Sequence, residues 1–130
     1  MTFFVASVEM RSYLSAWHLW AAKHLAGRAD EIEDRPEYLL ANRAYVTGAV
    51  LSSVAFLEAA INEVFDDIAD GHDSYVGPLS AETKKCLASL WTGDKSIERE
   101  SILKKYREAL QCSGKPAFDK ELNLIKMRNC

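Results

Sequence analysis

One long stretch constrains this chain more than any other feature. After Pro36 the sequence runs EYLLANRAYVTGAVLSSVAFLEAAINEVFDDIAD before the glycine Gly71. Its apolar residues recur at three- and four-residue steps, and no proline interrupts them, which predicts a helix rather than a strand. Unbroken, that helix is roughly 50 Å long at ~1.5 Å per residue, with Gly48 and the Ser52–Ser53 pair as the places where it could bend. Val46 to Ile61 is apolar nearly all round, so this is expected to be the central, most enclosed helix. Asp34 and Glu37 are spaced like a capping box at its start. Pro36 sits in the first turn, where its missing N–H costs nothing.

The rest of the chain reads as shorter helices arranged around that one. A first helix is expected from about Thr2 to Ala26, with Phe3, Ala6, Met10, Leu14, Trp17, Trp20, Ala21 and His24 as its apolar stripe and Gly27 as its end. The segment GRADEIEDRP is then a polar loop. Past the turn-rich GHDSYVGP, Ser80 is placed to cap a third helix running to about Trp91. TGDKS breaks that helix, and Ser96 or Asp94 is placed to cap a fourth, IERESILKKYREALQC. Glu100 and Lys104 form a favourable i,i+4 pair there, and Gly114–Lys115–Pro116 closes the helix. A fifth begins near Ala117. The expected fold is all-α: an antiparallel bundle of about five helices, two of them long, forming a single domain over residues 1–130.

Composition narrows the function classes without choosing one. At 130 residues, 48% hydrophobic and 27% charged, the chain is an ordinary candidate for a soluble globular domain. Its net charge of −3 divides unevenly, with five basic and eleven acidic residues up to Asp70 and eleven basic and eight acidic after it. A basic half is a faint attraction for a polyanion. Three cysteines, Cys86, Cys112 and Cys130, are odd in number and form no CxxC pair. They read as free thiols, neither a disulfide framework nor a zinc site, and so point to a reducing compartment. The N-terminal segment, interrupted by Glu9 and Arg11, fails as a signal peptide. No uninterrupted apolar run approaches the ~20 residues of a membrane span, so a cytoplasmic protein with no membrane partner is expected.

Candidate chemistry is sparse. His18, His24 and His72 are scattered, and the six-residue step between the first two puts them on different helix faces. Glu63, Asp66, Asp67 and Asp70 fall at i, i+3, i+4 and i+7 and read as a solvated carboxylate face. Without a Glu-x-x-His partner on another helix, no metal or other cofactor is expected. Glu58 and Asn62 are of more interest, since they sit four apart among residues that look buried. A buried carboxylate needs a donor or a groove, and Asn62 is suited to bridge to another helix or to take part in a binding site for a small molecule or nucleotide. On the last helix, Leu122, Ile125 and Asn129 share the face of Phe118, while Arg128 stands at its rim. A core-facing Asn129 is costly unless hydrogen-bonded, or unless the helix end frays.

A long apolar helix carrying SSVAFLEAAINEVF, two shorter helices, and a last one reaching LIKMRN together resemble the HEPN superfamily. Those domains are all-α bundles, many of them metal-independent endoribonucleases of prokaryotic toxin–antitoxin, phage-defence and CRISPR systems. Their hallmark is Arg, a polar residue that is often Asn, three to five further residues, and His. Arg128 and Asn129 match the first two positions. The histidine would fall beyond Cys130, and no His follows His72. The resemblance therefore implies a ribonuclease-type or defence domain that is C-terminally incomplete and inactive as given, with Arg128 holding phosphate. Proton transfer is left to the missing His. It also implies a homodimer whose motif helices face a shared cleft, with Lys120 and Lys126 nearby, RNA as substrate, and an antitoxin or other protein as partner. The alternative is a non-catalytic helical module for protein–protein interaction and dimerisation.

Overall fold

The computed structural model describes residues 13–32, 35–73 and 76–114. Among these the fold is all-α, with no strand: α1 (Leu14–Glu31), a 3-10 turn (Pro36–Tyr38), α2 (Leu39–Asp70), α3 (Ala81–Trp91) and α4 (Ile102–Cys112). The expected fifth helix, the first turns of the first helix and Asp34 of the expected capping box lie outside the described residues. The chain divides into two compact units, Met1–Ala60 and Ile61–Cys130, and α2 contributes to both.

In the first unit α1 and α2 pack antiparallel. Asn42 Nδ2 donates to the carbonyl of Ala29 at 3.2 Å, Arg28 lies over the Tyr45 ring at 5.9 Å, and Gly48 meets Leu25. Residue numbers rise on one helix as they fall on the other. Gly48 is where the helices approach closely, since a Cβ there would sit 2.9 Å from Leu25 Cδ1. α1 continues through Gly27 to Glu31 instead of ending near Ala26. A lone helical glycine costs only ~1 kcal/mol, and Gly27 has no left-handed backbone to terminate the helix. Its last turn is held by the Ala29 and Arg28 contacts and by the 3.3 Å pair of Arg28 with Glu31.

The face of α1 turned inward also differs from the expected stripe. Ser15 and Ala22 are buried and His18, Leu25 and Ala29 are half-buried, a heptad-like series, whereas Trp17, Trp20 and His24 are exposed. Small residues line the seam between the helices, which allows them close together.

In the second unit the last turns of α2 pack with α3 and α4. Ile61, Phe65, Leu87 and Ile97 form the core, with Ile68, Leu79, Leu90, Trp91 and Tyr106 against it. Phe65 and Trp91 stack with ring centroids 4.9 Å apart. α2 ends as its glycine predicts: Gly71 takes φ +72°, Gly71 N–H donates to the carbonyl of Ile68, and His72 N–H donates to that of Asp67. Ser80 caps α3, its hydroxyl accepting from Thr83 N–H at 3.2 Å. α4 starts later than expected, at Ile102, and its cap is Ser101, which accepts from Lys104 N–H. Ser96 is otherwise engaged, donating to the Trp91 carbonyl and accepting from Glu98 N–H, while Ile97 N–H donates to the Leu90 carbonyl. The Glu100–Lys104 pair forms at 3.1 Å, and Gly114 ends the helix at φ +71°.

Two further expectations are overturned. Cys86 on α3 and Cys112 on α4 form a disulfide, with Cα atoms 5.6 Å apart. Antiparallel packing brings together two cysteines separated by 26 positions, so the inference of free thiols, and the compartment drawn from it, loses its basis for this pair. The middle of α2 is not enclosed either: Val46, Val50, Leu51, Val54 and Leu57 are all exposed, and the buried part of the helix is its end, at Ile61, Phe65 and Asp67.

Candidate functional site

Glu58 and Asn62 share a helix but not an environment. Glu58 is exposed and makes no ion pair among the described residues, so the expected donor for a buried carboxylate is not needed. Asn62 turns its amide into the second unit, where its Oδ1 accepts from Lys105 Nζ at 2.7 Å. Lys105 is only 3% exposed, and its ammonium also lies 5.4 Å from the Trp91 ring centroid. A buried ammonium is costly unless hydrogen-bonded. Here an amide oxygen and an aromatic face supply negative potential from two directions. Asn62, Lys105 and Trp91 thus form a structural polar bridge between α2 and α4. The sequence signal for it was Asn62 alone, because nothing in ILKKYREALQC distinguishes Lys105 from the solvated Lys104.

The acidic series at the end of α2 is not one solvated face. Asp66 accepts from Trp91 Nε1 at 3.1 Å and Asp67 is fully buried. Among the described residues no group of three or more His, Cys, Asp or Glu converges as a metal site would require. His24 stacks on Trp20 at 4.9 Å, His18 is half-buried, and His72 follows the end of α2. Burial raises the pKa of Tyr106, which packs against this core.

The largest anomaly is apolar. Stepped at ~100° per residue, Leu40, Val46, Val50, Leu51 and Val54 fall within an arc of about 140° on α2. That arc lies opposite the side, marked by Tyr45 and Gly48, that meets α1. Leu40 is 81% exposed, Leu51 65% and Val50 57%. The same arc continues into Ile61, Phe65 and Ile68, where α3 and α4 cover it. On α1, Trp17 and Trp20 are 72% and 67% exposed and line a shallow, open depression with Ala16. The hairpin is small inside and large outside, the reverse of a self-sufficient pair. Pro36–Asp70 is also long and apolar enough to cross a membrane by length and composition, although Asn42, Arg43 and Glu58 interrupt its apolar run.

Arg128, Asn129, Lys120 and Lys126 lie outside the described residues, so the motif that carries the family resemblance has no geometry here. No family model matches the chain, nor does any curated protein or solved structure.

Proposed function

We propose that this chain is a helical interaction module whose α1–α2 hairpin docks a protein partner. The observation that carries this reading is the exposed apolar arc of α2, on a helix that is buried only where α3 and α4 reach it. Singly exposed leucines are ordinary, but a contiguous stripe several turns long is the mark of a surface meant to be covered. Arg43 and Glu58 stand on the same arc, and both are exposed. An arginine at the centre of a bilayer costs ~2.5 kcal/mol or more, whereas a protein surface pairs it. Protein is therefore the partner the face fits better than lipid. Replacing Val50 and Leu51 by aspartate tests the reading. The variant should stay helical by circular dichroism and lose association; association unaffected by both charges removes the reading.

The ribonuclease reading is a second proposal. It rests on Arg128–Asn129 and on SSVAFLEAAINEVF lying on one long helix of an all-α chain. On that reading the module is HEPN-like, and RNA cleavage requires a histidine separated from Asn129 by three to five residues. A chain carrying that histidine should cleave single-stranded RNA in EDTA and lose the activity on Arg128→Ala. Cleavage that needs a metal, or that survives Arg128→Ala, rejects it.

A further inference from the structure

We infer that the partner for the α2 face is a second copy of this chain, its α2 antiparallel to the first about a two-fold axis between Val50 and Leu51. This rests on the reading of α2 as an interaction surface and specifies both occupant and register. Arg43 and Glu58 are the only charged residues between Leu39 and Ile61, and both are exposed on the apolar arc. They stand about 22 Å apart along the helix, and their midpoint falls between Val50 and Leu51. In an antiparallel pair centred there, Arg43 of each copy faces Glu58 of the other. Thr47 then faces Val54, and Val50 faces Leu51. A parallel pair or an antiparallel pair shifted by a turn sets neither arginine against a carboxylate. The surface is thus complementary to itself under a two-fold, as an isologous interface requires.

Geometry agrees with the register. Between Arg43 and Glu58 the exposed apolar side chains are Val46, Val50, Leu51, Val54 and Leu57, each between 45% and 65% exposed. A shallow crossing of about 20° keeps the helices in contact across the stretch from Arg43 to Glu58. Their ends then separate only by a distance that arginine and glutamate side chains span. The shoulders of this face carry Ala44 and Ser53, small side chains that leave room for close approach.

The test uses the full 130-residue chain and exchanges charge across the proposed pairs. Sedimentation velocity should show the wild type as a dimer at tens of micromolar. Arg43→Glu alone and Glu58→Arg alone should each weaken the dimer by about tenfold, because each homodimer then holds two like-charge contacts. An equimolar mixture of the two variants should form a heterodimer of near wild-type affinity, since both of its cross-pairs are again Arg against Glu. A structural role confined to one chain would not give that rescue by mixing. A dimer insensitive to both reversals, or reversals that mixing does not rescue, overturns the register. If Val50→Asp/Leu51→Asp still abolishes that dimer, the interaction surface stands without the register. A wild type that is monomeric at about 100 μM overturns the second copy as occupant. Monomer that binds phosphatidylcholine vesicles through Val50 and Leu51 transfers the face to lipid and overturns the protein reading with it.

Discussion

Removing the Asn62 amide should cost more than removing the buried charge it holds. Lys105 Nζ is 2.7 Å from Asn62 Oδ1 and lies over the Trp91 ring, and the side chain is almost wholly buried. Asn62→Ala leaves that ammonium with the aromatic face alone. A hydrogen bond to a charged group contributes ~1.5–3 kcal/mol, and an unsatisfied buried charge costs the upper end of that range. The expected loss is about 2–3 kcal/mol. Lys105→Met keeps the length of the side chain but removes the charge, so the lost hydrogen bond is offset by the desolvation no longer incurred. Its expected change is within about 1 kcal/mol of wild type. Adding Lys105→Met to Asn62→Ala should recover at least ~1 kcal/mol, because the stranded charge is then gone. Urea unfolding followed by far-UV circular dichroism reads all four proteins. Asn62→Ala costing under ~0.5 kcal/mol, or Lys105→Met costing as much as Asn62→Ala, refutes the bridge.

Three further expectations are independent of that bridge. The Cys86–Cys112 disulfide closes a loop of 26 positions, for which chain entropy gives ~3.5 kcal/mol. Reductant should lower the unfolding midpoint and raise the reactive thiols by two per chain, and unchanged values in both would exclude the bond. Tyr106 has its pKa raised above the ordinary 10.0 by burial. The unfolded chain therefore ionises first, so stability is whole below pH 10 and falls as pH rises past it toward the folded value. Tyr106→Phe should flatten that part of the alkaline fall in a pH series of unfolding midpoints, and an identical fall in the variant would contradict it. At Gly48, where an added Cβ meets only the tip of Leu25, alanine should change stability by no more than ~1 kcal/mol, since helix propensity offsets the shift. Leucine there should cost about 1–3 kcal/mol by overpacking, and equal midpoints for the two would argue against the close approach.

What the sequence made legible was local. Ser80 as a cap, Gly71 and Gly114 as stops, and Glu100 with Lys104 as a pair depend on residues within one or two turns, and all are present in the structure. The exposure of α2 was not legible, because hydrophobicity at Val46–Leu57 measures the preference for cover and not the supply of it. On α1 the large residues drew the expected stripe toward Trp17 and Trp20, while the seam is built from Ser15, Ala22 and Gly48, whose value is their size. Cys86 and Cys112 carry no spacing signal, and only the packing of α3 on α4 joins them. Of the candidate site, Asn62 bridges to another helix as its chemistry suggests, Glu58 is exposed and needs no donor among the described residues of its own chain, and Lys105 is indistinguishable among the lysines of its helix.

In the working molecule the outward face of α2 is covered by a second copy of the chain. The most direct measurement of that cover is the sedimentation-velocity mass of the wild type and of Val50→Asp/Leu51→Asp across a concentration series. The wild type should be a dimer and the variant a monomer of unchanged helicity. Monomer for both, with no difference between them at any concentration, would contradict it.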